Sequence, residues 1–518
     1  MSQPETVAER VEAVTGRPGL DVPPSAEGAS AAASGVDTST MDRSLVRSMA
    51  WTGAVKWASQ VLSWASTFVV ARLLSPDDYG LLGMATVFLG LVTIFSEFGL
   101  GLTVVTLKDL TEEQLAQLNT VSLMIGVSCA VLVCIMAFPL GWFFKSEQLP
   151  FVVFALSLGF IINAFRIVPA ALIQRDLDFK LLALLEGAQA IVLAAAMVLL
   201  AYLGFRYWTL VLGSLMGSLM VTLFTLRFRR VHFKKPRRET LAKPLEFTKH
   251  QIVGNLSWYA YSNADFLMAG RLLGETQLGV YTMAWSLALT IPEKVTAMVT
   301  RVIPAYFASI QNDAQALRRY LVRLTEFISL VTFPVLLGLA LVADDFVALA
   351  LGDRWTAVIG PLRILAIYAA YDSAVGLFSR VLNVTGDTRF MMNVGIALAL
   401  VMPVAFYVGS HWGPVGIAAA WIIAHPFSRI PIFMRLSRRI ELPWTTYLMA
   451  YWPAVSGAAL MAVAVFLVRH FLTADARHVE RLIAQVAAGA VTYVAVLFVL
   501  HGTRMRALLG VVRGARAG

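Results

Sequence analysis

Long apolar segments follow one another along the chain from residue 47 onward, and short polar stretches separate them. About fourteen are long enough to cross the hydrocarbon core of a membrane as a helix, which takes about 20 residues. The predicted spans lie near 47–72, 79–105, 118–143, 151–173, 181–203, 207–226, 251–273, 278–308, 320–342, 357–383, 390–410, 414–434, 444–468 and 482–501. Membrane strands would need short segments of alternating polarity, which the sequence lacks. The pattern therefore predicts an all-α integral membrane protein.

A fifteen-residue pattern occurs twice, 199 positions apart. Residues 71–85 align with residues 270–284, and six of the positions are identical, among them Arg72 with Arg271 and Gly80 with Gly279. Each copy joins the end of one apolar segment to the start of the next. Two copies in the same orientation predict two similar helix bundles that rock against each other around a central site, as in secondary transporters.

This repeat, together with the spans, sets the expected domain organisation. The predicted domains are a disordered cytoplasmic tail (1–42), an N-terminal six-helix lobe (43–230), a basic cytoplasmic loop (231–249), a C-terminal six-helix lobe (250–440), two additional helices (441–503) and a basic cytoplasmic tail (504–518). The first tail is rich in Ala, Ser, Gly and Pro and has no apolar run, which is typical of disorder.

The distribution of charge predicts the orientation in the membrane. The chain is 58% hydrophobic and 14% charged, with a net charge of +10, whereas soluble domains carry about 25% charged residues. One set of alternate loops and tails holds 23 Lys and Arg residues and the other set holds 8. Because cytoplasmic loops collect Lys and Arg, both termini of this plasma-membrane protein are expected in the cytoplasm. Basic residues in alternate loops also argue against nucleic acid as a partner.

Charged residues inside the spans indicate where a site lies. Eight are deep: Lys56, Glu97, Arg166, Asp265, Glu293, Lys294, Arg301 and Asp372. Each costs about 2.5–3.5 kcal/mol at the bilayer centre, so eight facing lipid would cost on the order of 20 kcal/mol. That exceeds the usual net stability of about 5–15 kcal/mol. Most of them must face each other or a water-filled cavity.

The eighth span combines charge with proline. Glu293 and Lys294 follow Pro292 near its middle, and Arg301 and Pro304 come after them. A proline frees a backbone carbonyl and allows a kink, and kinked or broken helices with charges at mid-depth build transporter sites. The alternative is that Glu293 and Lys294 pair with neighbouring helices and only hold the bundle together.

Other charges have two interpretations as well. Asp265 is an acid among polar residues near the centre of the seventh span, where it either carries a proton or sodium ion or pairs with a basic residue of the eighth span. Arg72 and Arg271 lie at span ends, where a long basic side chain also reaches the interface. The predicted substrate-binding cations are Lys56, Arg72, Arg166, Arg271, Lys294 and Arg301. The predicted ion-coupling acids are Asp265, Glu293, Glu97 and Asp372.

Three segments carry a resemblance to a known family. Residues 69–80, the turn at 98–101 and residues 174–180 resemble the bacterial polysaccharide transporter family, the Wzx-type flippases of the multidrug/oligosaccharidyl-lipid/polysaccharide superfamily. The resemblance covers roughly residues 44–510. It implies two six-helix lobes plus two extra helices. It also implies movement of undecaprenyl-pyrophosphate-linked repeat units to the outer face, with polymerase and export machinery as further partners.

The residues agree with that substrate and leave alternatives. Lys and Arg in a cavity can hold a pyrophosphate, and the last two spans suit a lipid tail. The sequence has no Gly-rich phosphate loop and no metal-ligand spacing, so neither a cofactor nor a metal is expected. The alternatives are a lipid II flippase or a cation-coupled drug exporter of the same superfamily. A membrane polymerase or ligase is disfavoured because it would need a longer outer loop.

Overall fold

Helices make up nearly all the regular structure of the described chain. The computed structural model describes residues 57–237 except 98, 99 and 108, and residues 259–506 except 260, 301–306, 308, 309, 311, 312 and 472–476. This part contains 11 helices long and apolar enough to cross a membrane and has no strand. The all-α membrane fold is therefore confirmed. Lys56, Arg301 and most of the basic loop lie outside the described residues.

The N-terminal half is defined here as residues 57–228. Its helices are α1 (57–73), α2 (Pro76–Glu97), α3 (Leu100–Thr106), α4 (Glu112–Phe144), α5 (Leu149–Arg175), α6 (Phe179–Tyr202) and α7 (Trp208–Phe228). Local signals fix where some of them begin. Thr111 and Gln114 form a reciprocal capping box at the start of α4, and Asp178 accepts a hydrogen bond from the backbone of Leu181 at the start of α6. These side chains satisfy N–H groups that a helix leaves unpaired at its first turn.

The C-terminal half is defined as residues 259–440. Its helices are α8 (Ala264–Leu273), α9 (Glu275–Thr300), α10 (Ala314–Leu341), α11 (Ala343–Ala350), α12 (Ile359–Val375), α13 (Leu377–Val384), α14 (Thr388–Ser410) and α15 (Gly413–Ile440). A 3₁₀ turn, Asp353–Val358, follows α11. The chain ends in α16 (Trp444–Phe471) and α17 (His478–Leu500). The stretch between the predicted spans 320–342 and 357–383 therefore contains a short helix and a turn.

Because successive long helices alternate in direction, the bundle has two ends. The first, called the Pro76 end, contains Asp78, which forms an ion pair with Arg206 at 3.7 Å. The second, called the Asp387 end, contains Asp387, which binds Arg435 at 2.8 Å. Each pair joins two segments that lie at the same end of the bundle.

The two halves meet where α2 crosses α9. Gly80 on α2 faces the backbone of Glu275, and Gly279 on α9 faces the backbone of Pro76, so closely that a Cβ atom on either glycine would overlap that backbone. Gly80 and Gly279 are repeat counterparts, and so are Pro76 and Glu275. Only a residue without a side chain allows two helices to approach this closely.

The last two helices pack against the C-terminal half. The hydroxyl of Tyr493 on α17 donates to the carbonyl of Leu330 on α10 at 2.9 Å, and the ring of Tyr493 lies against Gly457 of α16. Near the Pro76 end, Gln485 of α17 donates to Asp345 of α11 at 3.0 Å. The pair α16–α17 is therefore fixed to α10 and α11.

Candidate functional site

The halves are joined at the Pro76 end by contacts from both repeats. Arg72 donates through Nε to the carbonyl of Ala350 at 3.2 Å and also donates to the carbonyl of Leu349, and these are the last two residues of α11. Arg271, its counterpart, lies over the ring of Phe143 at 5.5 Å. Each arginine thus reaches from its own half to the other. In this arrangement both act as contacts between the halves, and their binding of substrate stays a prediction.

Further contacts close the same end. The indole of Trp355 donates to the carbonyl of Ala71 at 2.7 Å and packs edge-on against Tyr79. Midway along α2, the hydroxyl of Tyr259 donates to the carbonyl of Val87 at 2.7 Å. The joined surface therefore extends from the Pro76 end to about the middle of the bundle.

Beyond its middle, α9 carries the charged residues that follow Pro292. Pro292 is buried there, whereas the side chains of Glu293 and Lys294 are exposed. Charged side chains at this depth of a membrane helix are far too costly to leave in hydrocarbon. A cavity that opens toward the Asp387 end would supply the water that both side chains need, and this cavity stays a prediction. The cavity role of Glu293 and Lys294 and their alternative role in pairing with neighbouring helices both stay predictions.

Arg166 lines a separate polar cavity in the N-terminal half. Its volume is about 330 Å³, and it lies between α2, α5 and α7. Its polar lining consists of Thr93, Ser96, Asn163, Arg166, Ser214 and Ser218. Hydroxyl and amide groups around an arginine form a wet surface that suits sugar hydroxyls as well as an anion. Glu97 is the last residue of α2, and its side chain lies outside the described part.

Asp265 lies at a break in the seventh span. The helix is interrupted at Asn263, and α8 begins at Ala264, so Asp265 occupies the first turn of α8. The unpaired N–H groups of a first helical turn favour a negative charge. The side chain of Asp265 is completely buried, so its hydrogen-bond partners determine how well a negative charge is stabilised there.

The partners of Asp265 are neutral donors. Its Oδ2 accepts hydrogen bonds from the hydroxyl of Tyr281 at 2.6 Å and from the indole of Trp421 at 3.1 Å. Its other oxygen has no hydrogen-bond partner among the described residues. The expected alternative, a basic partner from the eighth span, is not found in the described part of that span. A buried carboxylate with one oxygen unpaired is a suitable place for a proton or a small cation.

Asp372 forms an ion pair that the sequence analysis did not identify. Arg429 of α15 donates to its Oδ1 at 2.7 Å and to the hydroxyl of Ser379 at 3.2 Å. The imidazole of His425 lies 4.0 Å from the same carboxylate and 3.4 Å from the hydroxyl of Tyr368. The ring of Tyr368 lies tilted against Trp421 at 5.1 Å between centroids, and Trp421 in turn donates to Asp265. Counting every charge inside the twelfth span would have found Arg429.

A long apolar groove lies beside the C-terminal half. It has a volume of about 1080 Å³ and is lined by α10, α12, α15 and α16. Its lining on α16 extends from Trp444 to Arg469, which at 1.5 Å per residue is about 38 Å and exceeds the hydrocarbon thickness of about 30 Å. Arg429 opens onto the middle of the groove, and Arg363 and Arg469 lie at its Pro76 end. The groove therefore runs the full depth of the membrane.

Solved structures establish the fold by comparison. The chain is similar to the lipid II flippase MurJ in an inward closed conformation, with a TM-score of 0.71, 13% identity, and 88% of this chain and 99% of MurJ covered. It is also similar to an inward-facing multidrug resistance MATE transporter of the MOP superfamily, with a TM-score of 0.55, 17% identity, and 74% and 96% covered. The expected fold is confirmed by both.

Relatives similar in sequence come from several bacteria. The lipopolysaccharide biosynthesis protein WzxC of Escherichia coli (strain K12) is 25% identical, with 74% of this chain and 79% of WzxC covered. The teichuronic acid biosynthesis protein TuaB of Bacillus subtilis (strain 168) is 26% identical, with 78% and 85% covered. The succinoglycan biosynthesis transport protein ExoT of Rhizobium meliloti (strain 1021) is 22% identical, with 92% and 97% covered. None of these names describes an enzyme.

A sequence profile gives the family directly. The profile described as "Polysaccharide biosynthesis protein" matches residues 69–360, a region that holds both copies of the repeat. The expected resemblance to polysaccharide transporters is confirmed. Since the match covers more than half of the sequence, the chain belongs to the polysaccharide biosynthesis protein family.

Proposed function

We propose that this protein is a flippase that moves undecaprenyl-pyrophosphate-linked oligosaccharide repeat units across the plasma membrane for polysaccharide export. The observation that carries the proposal is an apolar groove as long as the membrane is thick, in a chain whose N-terminal half also holds a polar cavity lined by Arg166. A lipid-linked sugar has both a hydrated head and a hydrocarbon tail. The cavity suits the head, and the groove keeps the tail in an apolar environment over the whole path.

Orientation follows from the charges. The Asp387 end includes the loops and tails that hold 23 of the Lys and Arg residues counted above, so we place it and both termini in the cytoplasm. In this proposal Glu293 and Lys294 line a cavity that opens inward, toward the side where lipid-linked sugars are made. Closing that side and opening the Pro76 end would expose the head group outside, which is alternating access.

Named residues have distinct roles in this proposal. Lys294 and Arg166, with Lys56 and Arg301, supply positive charge for the pyrophosphate. Asp265 binds the coupling ion in this proposal, since its buried carboxylate has neutral donors on one oxygen and, within the part of the chain that the structure describes, no partner on the other. The energy source is an ion gradient. Polymerase and export proteins of the same pathway are the partners that would receive the product.

The direct test is transport by the purified protein. Liposomes would contain an undecaprenyl-pyrophosphate oligosaccharide with a fluorescent sugar, and a membrane-impermeant reductant would destroy the label that reaches the outer leaflet. We expect protein-dependent loss of the protected signal, reduced by Lys294→Gln and unchanged by Arg354→Gln, an exposed arginine outside both cavities. Equal movement of a labelled phospholipid would contradict the proposal. Transport of lipid II or of a cationic dye instead would establish one of the two related activities.

A further inference from the structure

The Pro76 end of the groove carries two arginines that share one carboxylate. Arg363 binds Oδ2 of Asp344 at 2.6 Å, and Arg469 binds the same oxygen at 2.9 Å. Their terminal nitrogens are therefore at most 5.5 Å apart. Two positive charges and one negative charge leave this group of three residues with a net positive charge.

The position of Arg363 is held by the backbone. Its Nε donates to the carbonyl of Ala340, at the end of α10, at 3.3 Å. Arg469 extends from the last turn of α16. Both side chains line the groove, and both are open to solvent, with 40% and 53% of their surface exposed. The pair is therefore fixed at a point where apolar groove and water meet.

The neighbouring acid does not neutralise this pair. Asp345, next to Asp344 in α11, is bound by His478 at 2.8 Å, Arg481 at 3.1 Å and Gln485 at 3.0 Å. These partners all come from α17. Asp345 thus fastens α17 to α11, whereas Asp344 is left as the counter-ion that Arg363 and Arg469 share.

We propose that Arg363 and Arg469 form a receiving site for the diphosphate of a lipid-linked saccharide whose tail occupies the groove. This site rests on the proposed flippase function and adds a second anion site, at the outer end, to the inner cavity. Each guanidinium has five N–H donors, and one phosphate can bridge two guanidinium groups at this spacing. A lipid diphosphate matches both the positive charge at the Pro76 end of the groove and the apolar walls beside it.

Asp344 makes the site reversible. An arriving phosphate displaces its carboxylate from two arginines, so binding is weakened by the bonds that are given up. When the lipid leaves, Asp344 returns to both arginines and no unpaired cations remain at the membrane surface. The site holds the head group after translocation and releases it to the next protein.

Binding of defined lipids to the purified full-length protein tests the site. Native mass spectrometry would titrate undecaprenyl diphosphate, undecaprenol and phosphatidylglycerol separately. We expect Arg363→Gln with Arg469→Gln to weaken undecaprenyl diphosphate binding about tenfold or more, since both charge-assisted contacts to the phosphate are lost. Asp344→Asn should strengthen it several-fold, because the competing carboxylate is gone. Undecaprenol binding and the Arg354→Gln control should not change.

The remaining outcomes separate this site from the proposed function. If wild-type protein binds undecaprenyl diphosphate no better than undecaprenol, the flippase substrate itself is wrong. If it does prefer the diphosphate but neither the arginine variant nor Asp344→Asn changes that preference, only the receiving site is wrong. An equal loss of undecaprenol binding would mean a collapsed groove, and the same arginine dependence for phosphatidylglycerol would mean a phospholipid site. Either result overturns the inference.

Discussion

Thr276 donates a hydrogen bond to Asp77, the residue that occupies the same position in the first repeat. The bond joins the first turns of α9 and α2, next to the crossing at Gly80 and Gly279. The two repeats thus meet through equivalent residues at the Pro76 end. Contacts of this kind must break if the halves are to open outward, so they are the first place to test alternating access.

Filling the crossing should shift the conformational equilibrium. Gly80→Ala places a methyl group against the backbone of Glu275, and overpacking of this kind costs about 1–3 kcal/mol. That is about a 5- to 150-fold change in population away from the form closed at the Pro76 end. Spin labels at positions 75 and 274 would show longer distances. Gly395→Ala, which meets nothing within 4 Å, is the control. An unchanged distance distribution would show that the crossing does not govern closure.

Locking the same end should stop transport. Asp77→Cys with Thr276→Cys puts two thiols in place of a pair already in contact. In a background without Cys129 and Cys134, oxidation should abolish flipping and a reducing agent should restore it. Each single cysteine variant controls for the loss of the native side chain. Transport at the normal rate by fully cross-linked protein would rule out rocking at this end.

Orientation can be checked in intact cells. In the same cysteine-free background, a cysteine at Arg354 should react with an impermeant thiol reagent, because the Pro76 end is proposed to be outside. A cysteine at Phe233, which is exposed at the other end, should react only after the cells are permeabilised. Labelling in the reverse order would invert the proposed topology and the proposed direction of transport.

Asp265→Asn should separate ion coupling from folding. The amide oxygen can still accept from Tyr281 and Trp421, so we expect the free energy of unfolding to change by less than about 1 kcal/mol. Flipping driven by an imposed sodium or proton gradient should fall to the rate without a gradient. Tyr281→Phe is the matched variant, since it removes a donor but keeps the carboxylate. Full gradient stimulation in Asp265→Asn would remove this residue from coupling.

The Asp372–Arg429 pair should behave as structure. The Arg429 side chain is 15% exposed and the Asp372 side chain 35%, so loss of Asp372 leaves a largely buried charge unpaired, which costs at most about 3–5 kcal/mol. Asp372→Asn should therefore lower membrane abundance and melting temperature. The double variant Asp372→Asn with Arg429→Gln should recover much of both. If the single variant is normally abundant but inactive, Asp372 has the ion-coupling role that the sequence predicted.

Span length made most of the helices predictable. The thickness of the hydrocarbon core demands about 20 apolar residues, so α16 at Trp444–Phe471 appeared in the sequence as 444–468. Helix α11 was missed because its eight residues are too short for that rule. Helix α11 accepts hydrogen bonds from Arg72 through backbone carbonyls. Every residue type has such a carbonyl, so the sequence does not indicate this contact.

The depth of charged residues in the predicted spans indicated some residues of the candidate site but not their hydrogen-bond partners. Asp265, Glu293 and Lys294 were recognised because charge is costly in hydrocarbon. The donors of Asp265 were not, since Tyr281 and Trp421 are ordinary apolar-span residues until the fold brings them together over 16 and 156 positions. Arg363 and Arg469 were not predicted as site residues. They lie near the ends of predicted spans, where a basic side chain that reaches the membrane interface needs no further explanation.

The crossing of α2 and α9 has the symmetry of a contact between two copies of one subunit. Gly80 faces Glu275, and Gly279 faces Pro76. Gly80 and Gly279 are repeat counterparts, and so are Glu275 and Pro76. A contact in which residue i touches j while the counterpart of i touches the counterpart of j is that of an isologous dimer. A single-copy ancestor would already have carried both sides of this interface. The two arginines of the repeat do not follow this symmetry, since Arg72 donates to carbonyls of α11 and Arg271 lies over the ring of Phe143.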